Sequence, residues 1–164
     1  MQARIDFLKT SPKVYQAMLG LEACIRASGL EHSLLHLVKI RASLMNRCAF
    51  CLDMHTQDAR ADGETERRID TLAGWREAPF YTMRERAALL WAEAVTDVAD
   101  THVPDSAYDE VRAQFSEAEI VNLTLAVVAI NGWNRLCVAF RTPAGTYKTG
   151  AGNAAAARAQ SRAS

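Results

Sequence analysis

An all-α fold is predicted by three features of the sequence. Apolar residues recur at three- and four-residue spacing in segment after segment, helix-start signatures precede several of these segments, and no period-two apolar run bounded by turns interrupts them. With 164 residues, 49% of them hydrophobic and 23% charged, the chain has the size and composition of one domain with a substantial core. The expectation is a single helical domain of about six to seven helices over residues 1–143, followed by an alanine-rich, mobile tail over 144–164.

The first helix is expected to open with Ser11 as cap and Pro12 at the first helical position, where a missing N–H costs nothing, and to end near Gly29. "HSLLHLVKIRASLMN" follows, with enough apolar residues to be largely buried. A third helix runs from near Cys48 toward Gly63, and a short one in "DGETERRIDTLAGWREAP" is closed by Pro79. Thr82 and Glu85 form a capping box for a helix through Trp91 to about Ala99, and Pro104 starts another short one. Ser116 and Glu119 form a second capping box ahead of "IVNLTLAVVAINGWNRLCVAF". That last helix is apolar on nearly every side, so it needs cover all round, from its own domain or from another subunit.

Nineteen basic residues balance nineteen acidic ones, which gives no general electrostatic grip on nucleic acid or an anionic membrane. The N-terminal "MQARIDFLKTSPKVY" has no apolar signal core, and no membrane span is read from the sequence, so a cytoplasmic location is expected. Four cysteines, Cys24, Cys48, Cys51 and Cys137, are too few for a secreted disulfide scaffold, and in a reducing compartment a close pair reads as catalytic or metal-binding. Cys24 and Cys137, within apolar helical patterns, read as inert buried thiols.

The stretch "RCAFCLDMH", residues 47–55, carries the chemistry. At about 100° per residue, Cys48, Cys51 and His55 fall within roughly 60° of one another, on one helix face. The two cysteines sit at the helix start, where free N–H groups and the positive end of the dipole favour a thiolate, and Arg47 adds positive charge. His55 follows Cys51 by four residues, the spacing at which it can accept or relay a proton. It lies about 10 Å along the axis from Cys48, too far for the same service. Cys51 is therefore the expected base-activated thiol and Cys48, nearer the exposed helix end, its disulfide partner. If the chain reverses at Asn46 and Arg47, His36 comes nearly level with His55 and is a candidate to orient it. A hydrogen-bonded core histidine is the alternative there.

"LLHLVKIRASLMNRCAFCLDMHTQDARADGETERRI", with the segments from Trp75 and Phe115 onward, resembles the alkylhydroperoxidase D-like branch of the carboxymuconolactone decarboxylase superfamily over about residues 12–143. The family signature is a glutamate, eleven residues, then Cys-x-x-Cys-x-x-x-His. Cys48, Cys51 and His55 fill its last three places, and His36 stands where the family has glutamate. The residue before the second cysteine, a histidine in the founding peroxidase, is Phe50. A histidine at 36 can pass a proton but supplies no fixed negative charge. The resemblance implies a thiol peroxidase without a bound cofactor. Cys51 attacks a hydroperoxide, Cys48 condenses with the sulfenic acid, and an external dithiol, a lipoyl group or a thioredoxin-like protein, reduces the disulfide. It also implies a homo-trimer or homo-hexamer.

Other readings stand beside this one: ring-cleavage decarboxylation, which in the family does not depend on a cysteine pair; a non-catalytic oligomeric binding module; and a Cys2His2 zinc site from Cys48, Cys51, His55 and His36. Trp75, Trp91 and Trp133 read as core or subunit-contact residues, Glu93 as a solvated carboxylate or an acid reaching the site, and His102 as surface.

Overall fold

In a computed structural model that describes residues 2–149, the chain is a succession of helices: α1 (Phe7–Thr10), α2 (Pro12–Arg26), α3 (His32–Met45), α4 (Ala49–Ala61), α5 (Glu66–Asp70), α6 (Met83–Thr96), α7 (Val98–Thr101), α8 (Asp105–Arg112) and α9 (Glu117–Phe140), with a 3-10 turn at Leu72–Gly74. The two single-turn pieces, α1 and α7, are too short to show a period in sequence. The other seven are those read from it.

Their starts are built from the residues that signalled them. Thr82 and Glu85 close a reciprocal capping box on α6, and Ser116 and Glu119 do the same on α9. Pro12 stands at the first position of α2 after Ser11. Between α3 and α4 the chain reverses within a Schellman motif: Arg47 takes the left-handed conformation at φ 53, its N–H bonds to the Leu44 carbonyl at 3.2 Å, and the Cys48 N–H bonds to the Ser43 carbonyl at 3.0 Å. Cys48 is thus both the last residue of one cap and the N-cap of α4.

The central helix α3 packs against α4, α6 and α9, and its Leu37, Val38 and Ala42 have no solvent exposure. Each buried Leu or Val adds about 2 kcal/mol of hydrophobic stabilisation before entropy is counted, so the seam around α3 sets the geometry of everything attached to it. The 24-residue α9 is by length and composition apolar enough to cross a bilayer, yet it is the core helix here, with Leu123, Val127, Ile130 and Asn134 buried against α3 and its neighbours. The cover expected all round it is incomplete: Val121 is 68% and Val128 51% exposed. Seven residues apart, they share one face. The first part of the expected tail is tied down, since Gly145 N–H donates to Asp53 at 2.8 Å and the Tyr147 hydroxyl to Asp58 at 2.8 Å. The alanine-rich remainder lies outside the described residues.

Candidate active site

The turn between α3 and α4 is pinned by buried amides. Asn46 Nδ2 donates to Asn131 Oδ1 and Asn134 Oδ1, each at 2.9 Å, and Asn134 Nδ2 donates to Ser43 Oγ at 3.0 Å. Asn134 is 1% exposed, so these are bonds in a low-dielectric interior, where an unpaired amide would be costly. The network clamps the residues that present Cys48 onto α9.

Cys48 and Cys51 are free thiols with sulfurs 2.6 Å apart, and both are buried. The exposed position expected for Cys48 is not found: α9 covers it with Ile130 and Cys137, which a local helical reading cannot see. Cys137 brings a third sulfur, so that the Sγ atoms of Cys48, Cys51 and Cys137 all lie within 4.8 Å of one another. Cys137 is buried, as read from the sequence, but stands within the cluster rather than apart from it, whereas Cys24, also read as buried, is exposed. Hydrogen bonds from Cys137, then Cys51, draw the Cys48 pKa well below the ordinary thiol range, while bonds with Cys137, then Cys48, push Cys51 up and the bond with Cys48 pushes Cys137 up. The cluster thus holds one negative charge most readily at Cys48, and the three titrate as a unit.

A cavity of about 500 Å³ opens beside the cluster, walled by Phe7, Leu8, Tyr15, Phe50, Met54 and Trp133. Cys51, Cys137 and His55 border it, whereas Cys48 does not. Acidity and access therefore fall on different sulfurs, charge on Cys48 and approach on Cys51. His55 is buried and its Nε2 has no hydrogen-bond partner among the described residues. Burial, then the Lys39 charge and more weakly His36, hold its pKa well below the usual imidazole value, so the ring is neutral and can accept a proton.

His36 also borders the cavity, but its Nε2 is bound to Asp62 Oδ2 at 2.7 Å rather than to His55. The direct orienting contact between the two histidines is absent among the described residues. The carboxylate that His36 meets is Asp62, at the end of α4 and 26 residues from it. The Cys2His2 zinc set is not assembled, because the residues that gather are the three cysteines.

Glu93 is neither solvated nor at the site. It accepts from Arg41 Nε at 2.7 Å, Trp75 Nε1 at 2.7 Å and Arg76 at 2.5 Å. Burial opposes its charge, but these donors outweigh burial and keep its pKa low. Trp75 and Trp91 are core residues as expected; Trp133 is half-buried at the cavity wall and donates to the buried Glu22, which also accepts from Lys39. The residues that sequence reasoning missed, Asn131, Asn134 and Cys137, form an i, i+3, i+6 series on α9. Polar residues recurring at that spacing in an apolar helix are the signal that could have found them.

The carboxymuconolactone decarboxylase family pattern matches residues 12–94. Protein YdfG of Bacillus subtilis is 41% identical over 139 residues, 85% of this chain and 95% of that protein. A crystal structure of an Agrobacterium tumefaciens protein of unknown function, suggested as an AhpD antioxidant defence protein, is 47% identical with a TM-score of 0.86, covering 89% of this chain and all of that one. The debrominase Bmp8 shares the fold at 19% identity and a TM-score of 0.73, over 93% of this chain and 79% of its own. Pattern, relatives and helical architecture agree: the chain belongs to the carboxymuconolactone decarboxylase family, on its alkylhydroperoxidase D-like branch.

Proposed function

We propose that the protein is a thiol-dependent peroxidase that reduces organic hydroperoxides and is restored by an external dithiol. The observation that carries this reading is the pair of free sulfurs 2.6 Å apart, one of them at the wall of an apolar cavity beside a neutral, unpaired imidazole. A proton passed from Cys51 to the Cys48 thiolate, or to His55, puts the charge on the sulfur that substrate can reach. The Cys51 thiolate attacks the terminal oxygen of the hydroperoxide; the O–O bond breaks and the alkoxide leaves as alcohol with a proton from the site. Cys48 then attacks the Cys51 sulfenic acid, releasing water and forming the disulfide. A lipoyl group or a thioredoxin-like protein is the class of reductant that returns both thiols.

The wall of aromatic and aliphatic side chains favours a hydroperoxide with a bulky apolar body over hydrogen peroxide itself. His36 and Asp62, bonded to each other, border the same cavity. The exposed Val121 and Val128 face of α9 supports assembly into a trimer or hexamer, and the need for reducing partners supports a cytoplasmic location. Hydroperoxide loss under excess dithiol tests the reading. Wild type turns over, Cys51→Ser falls to background, Cys48→Ser loses most of its rate, and equal rates in all three would end it.

A further inference from the structure

The cycle above leaves one neighbouring sulfur without a task. Cys137 is 4% exposed and stands on the wall of the same cavity as Cys51, and its sulfur lies within 4.8 Å of both others. Its backbone is fixed by the cap of α9, where Thr142 N–H donates to the Cys137 carbonyl at 2.9 Å. Three sulfurs so gathered can hold a metal or exchange bonds. Thiolates around one zinc ion, each about 2.3 Å from it, stand about 3.8 Å apart. The 2.6 Å between Cys48 and Cys51 is too close for that and lies nearer to sulfur–sulfur bonding distance.

We propose that Cys137 is a third redox thiol of this site, to which the Cys48–Cys51 disulfide passes by internal exchange, leaving a Cys51–Cys137 disulfide on the cavity wall. The physiological form of the inference rests on the peroxidase reading, which supplies the first disulfide. In the exchange Cys137 gives up its proton and its sulfur attacks Cys51 Sγ. The Cys51–Cys137 bond forms as the Cys48–Cys51 bond breaks, and the electron pair leaves on Cys48, with the proton passing to Cys48 or His55. One disulfide is lost and one gained, so no further oxidant or reductant enters. Attack falls on Cys51 because, of the bonded pair, it is the sulfur that shares the cavity wall with Cys137. Before exchange only Cys51 of the bonded pair borders the cavity; afterwards both sulfurs do, so a small dithiol entering the cavity meets the disulfide from either end. The new bond also ties α4 to α9 instead of closing within one turn.

The test uses the whole chain with the exposed Cys24 changed to Ser, oxidised stepwise with diamide, quenched in acid, alkylated and mapped by mass spectrometry. The added Cys48→Ser variant is expected to form Cys51–Cys137, and the protein with Cys48 intact to form mainly Cys48–Cys51 with a measurable Cys51–Cys137 fraction. Alkylation of Cys137 as a free thiol at every degree of oxidation, with Cys48 present, overturns the proposal even if Cys48→Ser does not fold. Because diamide replaces hydroperoxide, a protein inert to hydroperoxides that still forms Cys51–Cys137 would sink the peroxidase and keep the third thiol.

Discussion

Glu93, mostly buried, and His55, buried, are both ionisable side chains set between helices, and they are treated in opposite ways. Glu93 has donors from Arg41, Trp75 and Arg76, each within 2.7 Å. His55 has an Nε2 with no partner among the described residues and a cavity in front of it. A buried polar group that is fully paired holds helices together; one left unpaired beside a cavity and a close pair of sulfurs is a candidate for chemistry. The neighbourhood of Glu93 serves stability, and that of His55 is where the proposed chemistry is placed.

The comparison breaks most sharply by exchanging the losses. His55→Gln is expected to lower hydroperoxide turnover about a hundredfold, the usual scale for a lost general base, with little change in denaturant stability. Glu93→Ala should do the reverse. Leaving Arg41 and Trp75 unpaired in the interior costs about 2 to 3 kcal/mol, read from denaturant midpoints, with turnover per folded molecule unchanged. Equal effects on rate and stability in both variants would erase the distinction.

Acid sharpens it. Both groups have folded-state pKa values below their unfolded ones, so the unfolded chain binds more protons and stability falls as pH falls. For His55 the stabilisation is complete above about pH 6.5 and is lost as pH drops from there toward its folded value, at up to about 1.4 kcal/mol per pH unit. For Glu93 the loss begins only below about pH 4.5. His55→Gln should therefore flatten the stability profile between about pH 6.5 and 5, and Glu93→Gln only at lower pH.

Smaller effects are expected at the turn that joins the two helices of the site. Asn134→Ala removes partners from Asn46 and Ser43 and should cost about 1 to 2 kcal/mol in thermal or denaturant unfolding. Arg47→Gly relieves a left-handed arginine and should stabilise by up to about 1 kcal/mol.

What the sequence made legible was whatever is local. Capping boxes at Thr82 and Ser116 and the proline at position 12 placed helix starts correctly, because a cap is decided within four residues. The one-face grouping of Cys48, Cys51 and His55 is local too. The burial of Cys48, the nearness of Cys137 and the amide clamp from Asn134 depend on how α9 crosses the α3–α4 turn, 85 to 90 residues later in the chain. The same holds for Asp62, which meets His36 only because α4 folds back antiparallel to α3. The missing family glutamate is legible in the sequence as His36, and the carboxylate that pairs with that histidine is visible only in three dimensions.

The central claim is that Cys48 and Cys51 act together on a hydroperoxide, and thiol counting under single turnover tests it most directly. Reduced protein is mixed with one equivalent of an apolar organic hydroperoxide, quenched by alkylation, and its free thiols and alcohol product are counted. The account predicts one alcohol formed for every two thiols lost, with Cys51 always among those protected from alkylation. Hydroperoxide left intact with every thiol still alkylated would contradict it.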